Sequence, residues 1–331
     1  MKVLVTGGAG FIGSTVISRL LDTGHEAVII DNFSTGRHEF TRGRVAYEGD
    51  FADRALLDRV FDEHPDISAV LHCAALIVVP DSVADPISYY RNNVSKTLEL
   101  MDYLNTRGCH RMVFSGSASI YALTDDFTVD EDCPFDPMSP YARTKAVLEG
   151  MMSDVAAATD LKIVSLRYFN PIGADPKMRT GLQLKRPSHA LGKLIEAKQT
   201  GEPFNITGVD WPTRDGSGIR DYIHVWDLAE AHVKALELFD DILGDNTYLP
   251  INLGTGQGTT VRELVAAFNK VTQEELKTVD APPRPGDAAG VYTRSTRAKE
   301  LLGWEAKHSI EEGIADTLKW FEVRGNILEG F

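Results

Sequence analysis

The first 170 residues alternate short apolar runs with amphipathic stretches, and this alternation restricts the fold more strongly than any other feature of the chain. The apolar runs have the length of strands, and helical periodicity fills the gaps between them. They are Val3–Thr6, Ala27–Asp31, Val45–Glu48, Ala69–His72, Met112–Ser115 and Ile163–Tyr168. Strands separated by helices form parallel sheets through right-handed crossovers, so the pattern predicts a doubly wound α/β fold with ligands at the carboxyl ends of the strands.

The pattern becomes irregular after about Asn170, where loops rich in proline and glycine interrupt it. We therefore expect residues 170–331 to form a smaller, mixed α/β C-terminal lobe. Residues 1–169 form the first domain, and residues 219–255 are expected to return to it. Helical patterns in the second half cover Asp227–Phe239, Val261–Val271 and Ser309–Arg324.

Composition and charge narrow the range of partners. The 331 residues carry a net charge of -14, which would repel phosphate backbones and anionic lipid surfaces, so neither nucleic acid nor a membrane is an expected partner. The three cysteines, Cys73, Cys109 and Cys133, lack the spacing of metal ligands, so we expect no metal site. The chain opens on the strand-like run 2–5 without a secretory or membrane-spanning segment, which indicates a cytoplasmic protein.

A glycine-rich motif, Thr6–Gly13, lies between the first strand and the first helix. Its glycines permit positive φ angles and let the backbone approach a pyrophosphate at the helix N-terminus. Asp31 and Asn32 follow at the end of the second strand, where a carboxylate binds the ribose hydroxyls of NAD and repels the 2′-phosphate of NADP. Arg37 and Arg42 could instead serve a 2′-phosphate, or they are exposed surface charges. The motif favours NAD.

A possible catalytic group stands at the start of a later helical stretch. Tyr141 and Lys145 are four residues apart and so share one helix face. A lysine cation, together with an oxidised nicotinamide, can lower the pKa of a phenol from about 10 towards neutrality and make it a usable base. Ser117 follows the fifth strand, where its hydroxyl can bond both a substrate hydroxyl and Tyr141. Alternatively, Tyr141 packs in the core, Lys145 is solvated and Ser117 belongs to a serine-rich turn.

These motifs resemble the extended short-chain dehydrogenase/reductases, and the second half resembles the UDP-glucose 4-epimerase family within them. The resemblance runs essentially from end to end. It implies a Rossmann-type fold, tightly bound NAD, and reversible 4-epimerisation of a UDP-hexose through a 4-keto intermediate. The segments of the second half that carry it are Arg167–Ala174, Gly218–Ala229, Asn252–Gly256 and Arg284–Asp287.

The resemblance also implies two sets of binding residues and a dimer. The residues implied for NAD are Gly7, Gly10, Phe11, Ile12, Gly13, Asp31, Asn32, Asp50, Phe51, Cys73, Ala74, Ala75, Asn92, Tyr141, Lys145 and Tyr168. Those implied for the UDP-sugar are Ser117, Phe169, Asn170, His189, Arg220, Tyr222, Arg284, Asp287 and Val291, with the two arginines at the diphosphate. The homodimer would form through 87–105 and 145–158, including Leu98, Met101, Leu148, Met151 and Val155, unless these residues are buried within the monomer.

The chain departs from the family pattern at several positions that concern the reaction. The related dehydratases place an Asp-Glu pair after the catalytic hydroxyl, whereas this chain reads Ala118-Ser119, so the 4-keto sugar is expected to be reduced again rather than dehydrated. Ile77 lies in a segment where the family usually has a lysine. Ser188 and His189 replace a pair of asparagines, and His189 either substitutes for the lost hydrogen bonds or packs.

Sugar choice and reaction class leave alternatives open. Val291 falls where the bulk of the side chain decides whether an N-acetyl group fits, and valine is intermediate in size. A hexose is therefore expected first and an N-acetylhexosamine second. A UDP-uronate 4-epimerase and a reductase that releases a 4-keto product are alternatives. A non-enzymatic NAD-sensing protein would be expected to lack a catalytic residue, and Ser117, Tyr141 and Lys145 are all present.

Overall fold

The computed structural model describes residues 1–185, 187, 189–283 and 288–331. The strands are β1 (Lys2–Thr6), β2 (Glu26–Asp31), β3 (Val45–Glu48), β4 (Ile67–His72), β5 (Arg111–Ser115), β6 (Thr128–Val129), β7 (Lys162–Tyr168), β8 (Asn170–Ile172), β9 (Phe204–Thr207), β10 (Ile219–His224), β11 (Tyr248–Leu253), β12 (Gly258–Thr260), β13 (Thr278–Ala281) and β14 (Tyr292–Thr293). The helices are α1 (Phe11–Asp22), α2 (Arg54–Glu63), α3 (Val79–Ala84), α4 (Pro86–Tyr89), α5 (Lys96–Arg107), α6 (Pro140–Ala158), α7 (Ala190–Thr200), α8 (Val225–Glu237), α9 (Phe239–Leu243), α10 (Val261–Thr272), α11 (Arg297–Leu302) and α12 (Ile310–Val323).

Seven parallel strands form the central sheet, in the order β11-β7-β5-β4-β1-β2-β3. The chain moves outward from β1 through β2 to β3 and then continues on the other side from β4, so the order reverses between β1 and β4. A crevice at such a reversal is where doubly wound sheets bind their ligands. The predicted doubly wound α/β fold is therefore confirmed.

The six strands expected from the sequence all form, and their carboxyl ends coincide with the ends of the apolar runs. The strands begin at most two residues earlier than the runs. Both faces of the sheet are covered by helices, so an inner strand is apolar on both sides and reads as an uninterrupted apolar run. This burial explains why the strands could be read directly from the sequence.

Two hydrophobic clusters sandwich the central sheet. Helices α1 and α8 close one face, and α2, α5 and α6 close the other. The first cluster also contains Ala298, Leu302 and Trp304, which come from the last part of the chain. A third cluster joins α7, α10 and α12 around β9 and β10. Strand β11 pairs with β7, whereas β10 joins β8 and β12 in a separate small sheet.

The helical stretch expected over 87–105 is interrupted in the structure. Helix α4 ends at Tyr89, residues Tyr90–Ser95 form a π-helical turn, and α5 begins at Lys96. The extra residue in a π turn redirects the side chains around it, and such turns are frequent at functional sites. Here the turn carries Asn92 and the buried Asn93.

Among the described residues, none of the helices is both long enough and apolar enough to cross a membrane. Over the same residues, no group of three or more His, Cys, Asp and Glu side chains is arranged to hold a metal ion.

Candidate active site

A glycine-lined loop joins β1 to α1 and meets the segment that follows β4. Gly7 has a φ of +72°, and a Cβ atom placed on it would lie 2.7 Å from the Cα of Ala74. A Cβ on Gly13 would lie 2.3 Å from the carbonyl oxygen of Gly7. Both positions require glycine, since any side chain would collide with backbone that cannot move aside. Bare backbone therefore lines the crevice between β1 and β4.

The first turn of α1 lies at the carboxyl edge of the sheet. Its N-cap residue, Gly10, offers no side chain to accept from the N–H groups of the turn. Phe11 and Ile12 follow in this turn and are half-buried. Uncapped N–H groups and the helix dipole favour a negatively charged ligand. This end of the crevice suits the pyrophosphate of a dinucleotide.

Asp31 lies at the end of β2 and is bonded to the glycine-rich loop. Its Oδ2 accepts from the backbone N–H of Ala9 at 2.9 Å, and its Oδ1 accepts from that of Phe33 at 2.8 Å. Burial raises the pKa of Asp31, and the two backbone hydrogen bonds oppose that shift. Each oxygen keeps a further lone pair, so the carboxylate can still accept from ribose hydroxyls. The neighbouring Asn32 is exposed and accepts from the backbone of Ser34.

The two arginines that could have read a 2′-phosphate are bound to protein groups. Arg37 donates to the backbone carbonyl of Glu329 at 2.5 Å and lies 3.4 Å from Glu39. Arg42 pairs with the side chain of Glu329 at 3.1 Å. Their engagement with the last turn of the chain, together with the nearby carboxylate of Asp31, agrees with a preference for NAD.

The segment after β3 contributes Asp50 and Phe51. Asp50 forms an ion pair with Lys96 at 2.5 Å. Phe51 is only 6% exposed, and its ring meets the ring of His72 edge-on with centroids 4.9 Å apart. Most of the Phe51 ring therefore packs in the hydrophobic cluster on one face of the sheet.

The segment after β4 forms the opposite wall. Cys73, Ala74 and Ala75 are half-buried there, and burial raises the pKa of the Cys73 thiol to about 12, so the thiol stays protonated. Asn93 holds this segment, because its Oδ1 accepts from the N–H of Leu76 and its Nδ2 donates to the carbonyl of Leu76, both at 2.9 Å. The sequence assigned Asn92 to the cofactor but did not predict that Asn93 holds this segment.

The start of α6 positions Tyr141. Ser139 caps the helix by accepting from the N–H of Ala142 at 3.1 Å, and Pro140 occupies the first helical position. Tyr141 thus stands in the first turn, with the Ser117 hydroxyl interacting with its phenol. Burial raises the pKa of Tyr141, and Ser117 opposes the rise. Ser117 also contacts Ser119 at 2.9 Å, so it caps a short turn as well.

Lys145 lies one turn further along α6 and is almost completely buried. Its Nζ donates to the carbonyl of Ser115 at 3.0 Å and lies 4.5 Å from the centre of the Phe114 ring. Burial lowers the pKa of Lys145 to about 8, while the charge of Glu149 works in the opposite direction. The sequence predicted that Lys145 and an oxidised nicotinamide together lower the pKa of Tyr141, and this stays a prediction. Burial acts against ionisation of the Tyr141 phenol, so a positive charge next to it would favour the ionised form.

A buried ion pair supports this helix from behind. Glu149 accepts from Arg167 through Nε at 2.9 Å and Nη2 at 2.6 Å, and from Ser165 at 2.6 Å. Tyr248 also donates to the same carboxylate. The sequence assigned no role to Glu149, although its position four residues after Lys145 places both on one helix face.

Further predicted site residues lie where β7 passes into β8. The hydroxyl of Tyr168 accepts from Ser115 at 3.1 Å, and burial raises the pKa of the phenol. Phe169 and Val291 pack against one small cluster, which includes Ala118, directly after Ser117. The structure thus brings Phe169, Val291 and the predicted catalytic hydroxyl to the same corner, although they are far apart in the sequence.

The small sheet beside this corner aligns further predicted residues. Asn170 on β8 is in register with Tyr222 on β10, and Tyr222 is 7% exposed. Arg220 lies two residues earlier on β10, and its guanidinium donates to backbone carbonyls, including that of Ala289 at 2.6 Å. Asp221, between them, is fully buried and accepts from the backbone of the β11–β12 loop. This anchoring fixes β10 next to the crevice.

His189 is the N-cap of α7, and its Nδ1 accepts from the N–H of Gly192 at 3.2 Å. Burial lowers its pKa to about 4, so the ring is neutral. The side chain therefore has a structural task in the helix cap. Ser188, Arg284 and Asp287, which the sequence also placed near the substrate, lie outside the described residues.

The chain is similar in sequence and in structure to known proteins. The chain is 41% identical to the UDP-glucose 4-epimerase of Bacillus subtilis (strain 168), over 97% of this chain and 96% of that protein. It is similar to the crystal structure of UDP-glucose 4-epimerase from Stenotrophomonas maltophila, which contains NAD and formylated UDP-arabinopyranose, with a TM-score of 0.92 and 38% identity over 98% and 99% of the two chains. It is also similar to the enzyme from Bifidobacterium longum in complex with NAD+ and UDP, with a TM-score of 0.89 and 34% identity over the full length of both. Residues 3–253 match the model of the NAD dependent epimerase/dehydratase family, and the chain therefore belongs to that family.

Proposed function

We propose that this protein is an isomerase that interconverts UDP-glucose and UDP-galactose by NAD-dependent 4-epimerisation. The observation that carries the proposal is the convergence of Ser117, Tyr141 and Lys145 on a glycine-lined crevice at the switch point of the sheet. A phenol, a buried amine and a serine hydroxyl beside a dinucleotide site can exchange a proton with a sugar hydroxyl while a hydride leaves the same carbon. The relatives named above carry the same activity.

The proposed roles of the chain's own groups follow from their positions. Bound NAD supplies the acceptor, and later the donor, of the hydride at C4′ of the sugar. Tyr141, supported by Ser117, takes the proton of the 4′-hydroxyl and returns it. Lys145 holds positive charge next to the phenol and fixes the end of β5 through the carbonyl of Ser115. Because Ala118 and Ser119 carry no acid, nothing at that position protonates a leaving hydroxyl.

We propose that the two lobes bind different ligands. Residues 1–169 and 219–255 bind NAD, tightly enough to remain through turnover, and residues 170–331 bind the UDP-sugar. The cofactor contacts are assigned to Gly7, Gly10, Phe11, Ile12, Gly13, Asp31, Asn32, Asp50, Phe51, Cys73, Ala74, Ala75, Asn92, Tyr141, Lys145 and Tyr168. The substrate contacts are assigned to Ser117, Phe169, Asn170, His189, Arg220, Tyr222, Arg284, Asp287 and Val291.

The choice of NAD can be tested at Asp31. Changing Asp31→Asn removes the negative charge that faces the ribose but keeps a side chain that can bond the backbone of Ala9 or Phe33. We expect the ratio of NAD to NADP affinity to fall about tenfold, as for loss of one charge-assisted hydrogen bond. Isothermal titration with both dinucleotides measures the ratio. Asp66→Asn, at an exposed aspartate before β4, is the control and should leave the ratio unchanged; an unchanged ratio in Asp31→Asn would remove the basis for this assignment.

Sugar specificity is the second part of the proposal. Val291 and Phe169 both pack against the cluster that contains Ala118, directly after Ser117, and we propose that the size of Val291 sets the room next to the sugar ring. We propose UDP-hexoses as the main substrates, with UDP-N-acetylhexosamines as the alternative and UDP-uronates as the next. Proton NMR with UDP-galactose, UDP-N-acetylglucosamine and UDP-glucuronate, without added NAD, tests the order. We expect UDP-galactose to be converted fastest. Conversion of none of the three nucleotide sugars would contradict the proposed function.

We further propose a homodimer that forms through α5 and α6, in the cytoplasm, where the three free thiols are compatible with a reducing environment. Of the residues suggested for the interface, Met101 and Leu148 are buried in the monomer core, and Met151 and Val155 pack partly against it. Leu98 remains 43% exposed. The exposed apolar positions on and near these helices therefore carry the proposal.

The dimer can be tested with one charge. Leu98→Glu places a carboxylate on the outer face of α5 and should shift the protein to monomer in sedimentation equilibrium, because an unpaired charge at a dry interface costs several kcal/mol. Leu21→Glu is the matched control, since Leu21 on α1 is 44% exposed and lies on the other face of the sheet. A wild type that sediments as a monomer would exclude the dimer.

A further inference from the structure

The guanidinium of Arg220 is held by main-chain carbonyls on two sides. Its Nη1 donates to the carbonyl of Ile219 at 2.7 Å and to that of Ala289 at 2.6 Å, and its Nη2 donates to that of Ala288 at 3.1 Å. The carbonyl of Ala289 also accepts from the N–H of Ile219 at 2.7 Å. The segment 288–290 is therefore fastened to the start of β10 through the side chain that we assign to the diphosphate.

This arrangement depends on the absence of a side chain at Gly290. Gly290 has a φ of +105°, and a Cβ atom on it would lie 1.9 Å from Nη1 of Arg220 and 2.0 Å from the carbonyl oxygen of Ile219. The arginine could swing away, but the carbonyl belongs to the backbone of β10 and cannot. A side chain at position 290 would therefore push the whole segment off the guanidinium.

We propose that Gly290 is a positioning residue for substrate binding: its bare backbone lets Arg220 lie flat against residues 288–290 and so orients the guanidinium for the diphosphate. The inference rests on the proposed function, because it takes the diphosphate of the substrate as the ligand of Arg220. Arginine binds such groups through two parallel N–H donors of its planar guanidinium. Both donors can bond at once only when the plane of the guanidinium has a fixed orientation.

The same contact sets the position of the next residue. Val291 follows Gly290 directly and, like Phe169, packs against the small cluster that contains Ala118. Strand β14 then begins at Tyr292 and pairs with β6. Gly290 thus lies between the contact with Arg220, which we assign to the diphosphate, and Val291, which we assign to the sugar. The positions of both ends of the substrate therefore depend on this one short segment.

The test compares two glycines that both have a positive φ angle but differ in surroundings. Gly290→Ala adds a Cβ that collides with Arg220, whereas Gly108→Ala adds one at φ +85° with no atom within 4 Å, at the end of α5. Affinity for UDP is measured by calorimetry on the NAD-loaded proteins, and KM and kcat are measured with UDP-galactose. Thermal midpoint and bound NAD report whether each variant is folded.

We expect Gly290→Ala to bind UDP about tenfold more weakly and to raise KM similarly, with kcat changed by less than about threefold, since a contact with the diphosphate serves ground state and transition state alike. Gly108→Ala should match the wild type in all three quantities and lose only stability. Equal UDP affinity in the two variants would overturn the proposal.

A double-mutant cycle with Arg220→Lys distinguishes action through Arg220 from general disturbance of the loop. If Gly290 acts through the guanidinium, Gly290→Ala should weaken UDP binding by less than about twofold further in the Arg220→Lys background. Additive effects would contradict the proposal. Wild-type affinity for UDP in Arg220→Lys alone would instead overturn the assignment of Arg220 to the diphosphate. The cycle therefore distinguishes failure of that assignment from failure of the role proposed for Gly290.

A second measurement does not depend on the folding of Gly290→Ala. Arg220→Lys removes the guanidinium hydrogen bonds that hold the segment 288–290. The amide hydrogens of residues 288–292 should therefore exchange faster than in the wild type. Exchange at wild-type rates would show that Arg220 does not hold the segment and would overturn the inference.

Discussion

Replacing Tyr141→Phe is expected to lower kcat for UDP-galactose by about 10²- to 10⁴-fold, because the variant lacks the hydroxyl that exchanges a proton with the sugar. The ring that packs beside the crevice is retained, so the fold and the bound NAD should be unchanged. Proton NMR of the conversion and the absorbance of the released nucleotide measure the two quantities. A kcat within about threefold of the wild type would rule out Tyr141 as the base.

A matched control separates this effect from the loss of any tyrosine hydroxyl. The hydroxyl of Tyr47 contacts Glu63 and His64 on the outer strand β3, away from the crevice. Tyr47→Phe removes an equivalent atom and should leave kcat unchanged. Equal losses in the two variants would point to an indirect effect on folding rather than to a proton transfer at Tyr141.

Lys145→Met is expected to lower kcat by about 10²- to 10³-fold and to change the pH dependence. Burial lowers the pKa of Lys145 to about 8, so the amine loses its proton as the pH rises through about 8. The wild-type rate should therefore fall above that pH, because the phenol loses the neighbouring cation. Lys145→Met has no such cation at any pH, so its residual rate should lack this alkaline decline.

The control for the pH profile is Lys162→Met, at the start of β7 and so at the opposite edge of the sheet. It should keep both the wild-type rate and the alkaline decline. A decline that persists unchanged in Lys145→Met would mean that a different group titrates, and it would remove the electrostatic role assigned to Lys145.

Most of the fold could be predicted because it follows from local patterns. Strands buried on both faces appear as apolar runs, and their carboxyl ends were located to the residue. The glycine-rich loop could also be predicted from the sequence, because positions such as Gly7 and Gly13, where a Cβ would collide with backbone, are glycine. The π turn before α5 was not predicted, and its Asn93 bonds to Leu76, seventeen residues away in the sequence.

The candidate site was predictable where it rests on residue type and spacing, as for Tyr141 and Lys145. It was not predictable where burial decides the chemistry. The burial that raises the pKa of the Tyr141 phenol could not be read from the spacing of Tyr141 and Lys145. The task of His189 as a helix cap and the contact between Gly290 and Arg220 likewise require three-dimensional neighbours.

The most direct test of the account follows the hydrogen at C4′. The purified protein, with no NAD added, is incubated with UDP-galactose carrying deuterium at that carbon, and the product is examined by NMR in ordinary water. If the crevice retains its cofactor and Tyr141 exchanges only the hydroxyl proton, UDP-glucose appears with the deuterium still at C4′. Loss of the deuterium to solvent, or no conversion at all, would contradict the proposed epimerisation.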